Sequence, residues 1–253
     1  MPEQLPSPGT RSDRNRDNPG IFSTTHWSVV LAAGKEDSPA AEAALERLCR
    51  TYWYPLYVFV RRKGQSPHDA QDLTQEFFAR FLEKRFVSLA DQSRGKFRTF
   101  LLRSLEHFLI NEWTKARAAK RGGVTKTISW DEQEAEQRYL LELVDGTAPD
   151  KAYEKRWAMS LLEQVMERLR EEFKSERTDL FEALKTTVWG EATDASYQQI
   201  GAKLGMGEGA VKVAAHRMRH RYRDLLRAEV GHTVATSDEV DEELRYLAAV
   251  LRT

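Results

Sequence analysis

The chain has 253 residues, of which 41% are hydrophobic and 31% charged, and its 39 Lys+Arg are balanced by 39 Asp+Glu. This is a globular composition with material for one or two domains, and no run of about 18 apolar residues is present to suggest a membrane span. The single cysteine, Cys49, excludes an internal disulfide and a Cys-rich zinc centre.

The opening residues, "MPEQLPSPGTRSDRNRDNPG", carry almost no apolar side chains. They predict a disordered tail over 1–20, without a signal-peptide pattern, and hence a cytoplasmic protein. Residues 21–121 then show helical apolar spacing nearly throughout. "THWSVVLAA" can start a helix capped by Thr24 or Thr25. Residues 40–62 form an apolar segment that Pro55 is expected to kink or divide. A stronger helix follows in "GQSPHDAQDLTQEFFARFLEK", with Ser66 as cap, Pro67 as first helical residue and Asp69 at the positive end. Its apolar stripe is Ala70, Leu73, Phe77 and Phe81, widened by Phe78 and Leu82.

Residues 86–96 predict a loop and 97–121 a further helix, which Gly122–Gly123 ends. Residues 122–148 predict a linker with a short helix near 132–143. A second domain follows over 149–230, with helices at about 150–173, 176–187, 196–204 and 208–228. The acidic extension 231–253 predicts one more helix, with Ser237 as cap and Val240, Leu244, Leu247 and Leu251 as its stripe. No β-type alternation occurs over a useful length. The expected fold is therefore all-α: two small helical domains joined by a linker, the second containing a helix-turn-helix, plus an extra C-terminal helix.

The glycines of "GAKLGMGEGAVK" lack both a preceding strand and the phosphate-loop spacing. A helix-turn-helix accounts for each residue instead. Ile200 and Leu204 face the core, Gly201 permits a close crossing, Gly205 supplies a positive φ in the turn, and Val211 anchors the second helix. Over 208–223 that second helix is strongly basic, with Lys212, Arg217, Arg219, Arg221 and Arg223 against Glu208 alone. Its outward positions include Glu208, Gly209, Lys212, Val213, His216 and His220, suited to phosphates and base edges in a major groove. A solvated basic helix end is the plainer account of any single arginine there. His216 and His220 stand four apart, but flanking arginines disfavour a metal, and no cofactor is expected.

Two further clusters stand out. Asp69, Asp72 and Glu76 share one helix face, with Gln75 nearby. They have no nucleophile or His partner at fixed spacing, so an enzyme is not expected; a solvated or a protein-binding face remains. In "KFRTFLLRSLEHFLINEWTKARAAKR" cations alternate with aromatics, the pattern that single-stranded nucleic acid needs. Most of these aromatics must be core, with Trp113 and Phe108 the expected exceptions.

Taken in order, "YPLYVFVRRKGQSPHDAQDLTQEFFARFLEK", "FRTFLLRSLEHFLINEWTKARAAKR" and "SYQQIGAKLGMGEGAVKVAAHRMRHRYRDLL" resemble bacterial RNA polymerase sigma factors of the extracytoplasmic-function type. The resemblance covers about 40–121 and 149–230. It implies that the helix with Asp69, Asp72, Gln75 and Glu76 grips the polymerase core. It implies that 97–121 melts the −10 element through Arg98, Arg103, His107, Phe108, Asn111, Trp113, Lys115 and Arg117, with a flipped base held near His107, Phe108 and Asn111. It implies that the second helix of the helix-turn-helix reads duplex −35 DNA. Where the family often has Ser-Arg-Leu, this chain has Val213-Ala214-Ala215, so His216 or Arg217 is left to supply a contact. The implied partners are core RNA polymerase and promoter DNA, with an inhibitory partner left open and no membrane. A free-standing helix-turn-helix regulator is the alternative. The acidic C-terminal helix either caps the fold or packs on the basic DNA-reading domain and restrains it.

Overall fold

The computed structural model of the chain describes residues 39–82, 96–118, 132–142, 146–173, 178–190, 194–234 and 236–252. The expected tail over 1–20, the helix in "THWSVVLAA", most of the 86–96 loop and the Gly122–Gly123 stop lie outside them. Among the described residues all regular structure is helical. The elements are α1 (Pro39–Arg62), α2 (Pro67–Leu82), α3 (Phe97–Ala118), α4 (Glu132–Leu141), α5 (Pro149–Phe173), α6 (Thr178–Leu184), α7 (Asp194–Leu204), α8 (Glu208–Thr233) and α9 (Val240–Val250). Two 3-10 turns, Lys185–Val188 and Ser237–Glu239, follow α6 and precede α9.

Pro55 does not divide α1, which runs unbroken to Arg62. An interior proline costs a helix about 3 kcal/mol. Here the surrounding turn is deeply buried on every side, with Tyr52, Leu56, Phe59 and Val60 at 0% exposure. That packing offsets the lost hydrogen bond.

The centre of the molecule is the contact between α1 and α5. Tyr52, Tyr57 and Leu56 from α1 lie in one continuous core with Trp157, Leu161 and Val165 from α5. The side chains of Thr51 and Gln164 are hydrogen-bonded across the pair at 2.9 Å. α2 and α3 join through an aromatic cluster, with Phe77 and Phe108 rings 5.8 Å apart and Phe81 and Phe97 at 6.4 Å. α8 and α9 close the other side on α5. The helices before and after the predicted linker thus share one buried core.

The linker helix α4 is tied in by charge. Glu136 takes Arg61 at 2.7 Å and the Tyr57 hydroxyl at 2.5 Å. Arg156, almost wholly buried, donates to Glu142 at 2.6 Å and to Glu163 at 2.7 Å, and Arg138 pairs with both acids. A buried guanidinium is tolerable only with partners of this kind.

The α7–α8 turn follows from its glycines. α7 ends at Leu204, Gly205 takes φ +66°, and the Met206 N–H donates to the Gly201 carbonyl at 2.9 Å. This is the Schellman arrangement, for which a residue without Cβ is favoured at the positive-φ position. The Gly201 side faces both this turn and the next helix. A Cβ there would come within 2.5 Å of the Met206 carbonyl oxygen and 3.6 Å of Val211 Cγ2.

Gly201→Ala should therefore cost about 1–3 kcal/mol of stability, because the obstructing atom is backbone and cannot rotate away; urea unfolding of the two proteins measures this. Burial, with Glu46 nearby, pushes the Cys49 thiol up to about 12. Native Cys49 should thus react with iodoacetamide at neutral pH roughly a hundredfold or more slowly than in urea. Equal rates would contradict the packing of this part of α1.

Candidate nucleic-acid and polymerase interfaces

α2 begins with a reciprocal cap. Ser66 Oγ accepts the Asp69 backbone N–H at 3.1 Å and donates to Asp69 Oδ2 at 2.6 Å. Asp69 thus serves the helix end as well as the surface. Asp72 is exposed, with His68 Nε2 3.6 Å away. Glu76 is half-buried and paired with Arg80, which also reaches Glu112 of α3 at 2.7 Å. Gln75, expected near this acidic face, is instead buried at 8% exposure. It lies one position from Glu76, about 100° round the helix, on the side of Ala70, Thr74 and Phe78. The outward acidic face is therefore Asp69, Asp72 and, partly, Glu76.

α3 separates its two sides cleanly. Phe97, Leu101, Leu105, Phe108 and Leu109 point into the core. Arg103, His107, Ile110, Asn111, Trp113 and Thr114 are exposed. Phe108 was expected at the surface and is not: it is 3% exposed, packed on Phe77, with the Arg80 guanidinium 5.1 Å from its ring centre. Its place beside Leu105 and Leu109 on the inner stripe decides this. Ile110, which the sequence did not single out, is the most exposed large apolar residue of this helix, at 55%. Its signal was available, as an isoleucine three positions beyond His107 on an outward stripe. Exposed Ile110 and Trp113 beside His107 and Asn111 offer apolar surface and hydrogen-bonding groups together, a combination suited to unstacked bases.

Arg98 is likewise not on the outer face. It is 5% exposed, and its guanidinium lies between the rings of Trp157 and Tyr246, at 4.6 and 4.4 Å. It is ion-paired to Glu243 of α9. The side chains of Lys115 and Arg117, in the last turn of α3, lie outside the described residues.

α8 has one buried and one exposed side. Val211, Ala215, Met218, Tyr222 and Leu225 are buried at i, i+4, i+7, i+11 and i+14. The other side presents Gly209, Val213, His216, Arg217 and His220 as exposed residues, with Glu208 and Lys212 half-buried at its edge. Lys212 Nζ pairs with Glu208 at 2.8 Å, and Gln198 of α7 donates to Glu208 at 3.1 Å. The His216 and His220 rings lie 4.6 Å apart, centre to centre. Among the described residues there is no cluster of three or more metal-ligating side chains. The later arginines divide by role. Arg221 forms a bidentate pair with Glu172 of α5 at 2.6 and 2.7 Å, and Arg219 donates to the Tyr197 hydroxyl at 3.2 Å. Both fasten α8 to its neighbours, whereas Arg217 and Arg223 remain exposed.

No helix among the described residues is long and apolar enough to cross a membrane. Residues 48–119, spanning most of α1 and all of α2 and α3, match the sigma-70 region 2 family. The chain is also 24% identical, over 213 residues, to an ECF RNA polymerase sigma factor, SigE, of Mycolicibacterium smegmatis; the match covers 84% of this chain and 72% of that one. No solved structure matches. The order of the helices, the region 2 match and this relative point the same way: residues 48–119 match sigma-70 region 2, and the chain as a whole is similar to an extracytoplasmic-function type sigma factor, a transcription initiation factor.

Proposed function

We propose that the chain binds core RNA polymerase through α2, opens the −10 element with the outer face of α3, and reads the −35 element with the first turns of α8. The observation that carries this reading is the presence in one chain of a region 2 match over 48–119 and a helix-turn-helix over α7–α8. A free-standing repressor would need only the latter. On α2, Asp72 is the acidic group most open to a partner, since Asp69 serves the cap and Glu76 serves Arg80. On α3, His107, Asn111 and Trp113 would receive bases, with Ile110 as an apolar wedge between them and Arg103 on the backbone. On α8, Lys212 would exchange Glu208 for a phosphate, while His216 and Arg217 reach base edges and Val213 meets a thymine methyl. The protein would work in the cytoplasm, without catalysis of its own; binding free energy would drive strand opening.

Asp72→Arg should abolish binding to core polymerase while leaving binding to duplex −35 DNA intact, as measured by gel filtration with core enzyme and by DNA anisotropy. Its exposure makes a folding defect an inadequate explanation of such a result. Promoter affinity should fall steeply with salt, and Lys212→Ala should reduce the slope of log K against log salt by about 1. An unchanged slope would remove Lys212 from the phosphate contacts.

A further inference from the structure

Glu243 is the only carboxylate among the described residues whose side chain is wholly excluded from solvent. It lies in α9, on the same side as the buried Val240 and Leu247. Its two oxygens are held by cations at the start of α3. Lys96 Nζ is 2.5 Å from Oε2, and Arg98 Nη1 is ion-paired to Oε1. Tyr246, one turn on, covers both cations, its ring centre 4.4 Å from the Arg98 guanidinium and 5.3 Å from Lys96 Nζ. Trp157 of α5 also lies against Arg98, its ring centre 4.6 Å from the guanidinium, and the Tyr153 hydroxyl donates to the Arg98 carbonyl at 3.0 Å. At the rim, Asp241 pairs with Arg227 of α8 at 2.5 Å. One short helix thus fastens α3, α5 and α8 together. The rim pair is exposed and contributes little. The buried one is different, because removing either partner strands a charge away from water.

The proposed function requires α3 and α8 to reach elements centred about 25 base pairs apart, about 85 Å of duplex at 3.4 Å per step. A compact chain of this length has a radius of gyration of about 18 Å. Packed on a common α5, the two helices cannot serve both elements at once, so the α1–α5 contact must open. We infer that α9 is a latch on that opening: the Glu243 carboxylate pairs with Lys96 and Arg98, cations that opening would free for promoter phosphates, and so holds α3 closed against α5. This rests on the reading of the chain as a two-element promoter binder. It also relocates the restraint expected from charge alone. The buried acid of α9 acts on the melting helix, and only its exposed rim touches the DNA-reading one.

The test uses the full chain carrying Glu243→Gln, which keeps the shape and removes the charge, and a second protein ending at Thr236, which removes α9 together with its buried acid. Hydrogen exchange follows the first two turns of α3. Anisotropy follows a fluorescein-labelled single-stranded 20-mer of random sequence, and gel filtration follows core polymerase. Glu243→Gln with wild-type helix content by circular dichroism, and the truncated chain with helix content lower only by the loss of α9, should both exchange faster in α3 and bind the 20-mer at least tenfold more tightly at low salt. If Glu243→Gln does not fold, the truncated chain alone decides. Unchanged exchange, or faster exchange without a gain in DNA affinity, overturns the latch. Failure of the wild-type chain to bind core polymerase would instead overturn the underlying function.

Discussion

The face-to-face packing of α1 on α5 is the constraint from which the rest of the structure follows. Tyr52, Tyr57 and Leu56 meet Trp157, Leu161 and Val165 in one core, and the Thr51–Gln164 bond fixes their alignment. Apolar burial of this kind is non-directional, so it supplies affinity without specifying a unique register. The polar contacts supply the register. Arg156 needs Glu142 and Glu163, and α4 therefore has only one way to lie across the pair. With α1, α4 and α5 fixed, α2 and α3 join through their phenylalanines, α8 packs on α5, and α9 reaches from α8 to the start of α3.

This arrangement separates structural from functional charge. Arginine appears in both roles on α8, within one helix. Arg219 and Arg221 are committed to Tyr197 and Glu172, while Arg217 and Arg223 remain at the surface. The same division occurs on α2, where Asp69 closes the helix end and Asp72 faces outward. Charge composition alone, neutral over the whole chain, conceals this sorting. A protein of no net charge can still gather a basic face, because the balancing acids sit elsewhere in the fold.

Much of this was legible in the sequence, for physical reasons. The Ser66–Pro67–Asp69 start of α2, the Gly205 turn and the buried Val211 depend on local chemistry, and local chemistry is written in adjacent residues. The apolar stripes of α2 and α8 follow from the 3.6-residue period alone. Pro55 leaves α1 undivided because tertiary burial overrides local propensity. Phe108, Gln75 and Arg98 were misplaced because a helix with polar groups on two sides does not declare which side faces its neighbour. Glu243 sat unremarked in a run of acids, and only the fold brings it to Lys96 and Arg98, nearly 150 residues earlier. Long-range ion pairs of this kind leave no trace in spacing.

The bidentate Arg221–Glu172 pair has a consequence for how much DNA can be read. α8 is 26 residues long, and at Arg221 it is joined to Glu172 of α5 by an exposed pair, just before the buried Tyr222 and Leu225. The stretch from Glu208 to Arg217 lies ahead of that junction, with Gly209, Val213, His216 and Arg217 on its exposed side. Ten residues of α-helix span about 15 Å, and duplex rises about 3.4 Å per step. On the proposed reading of duplex DNA by α8, the footprint of that stretch along the groove would be some four base pairs, however long the helix itself.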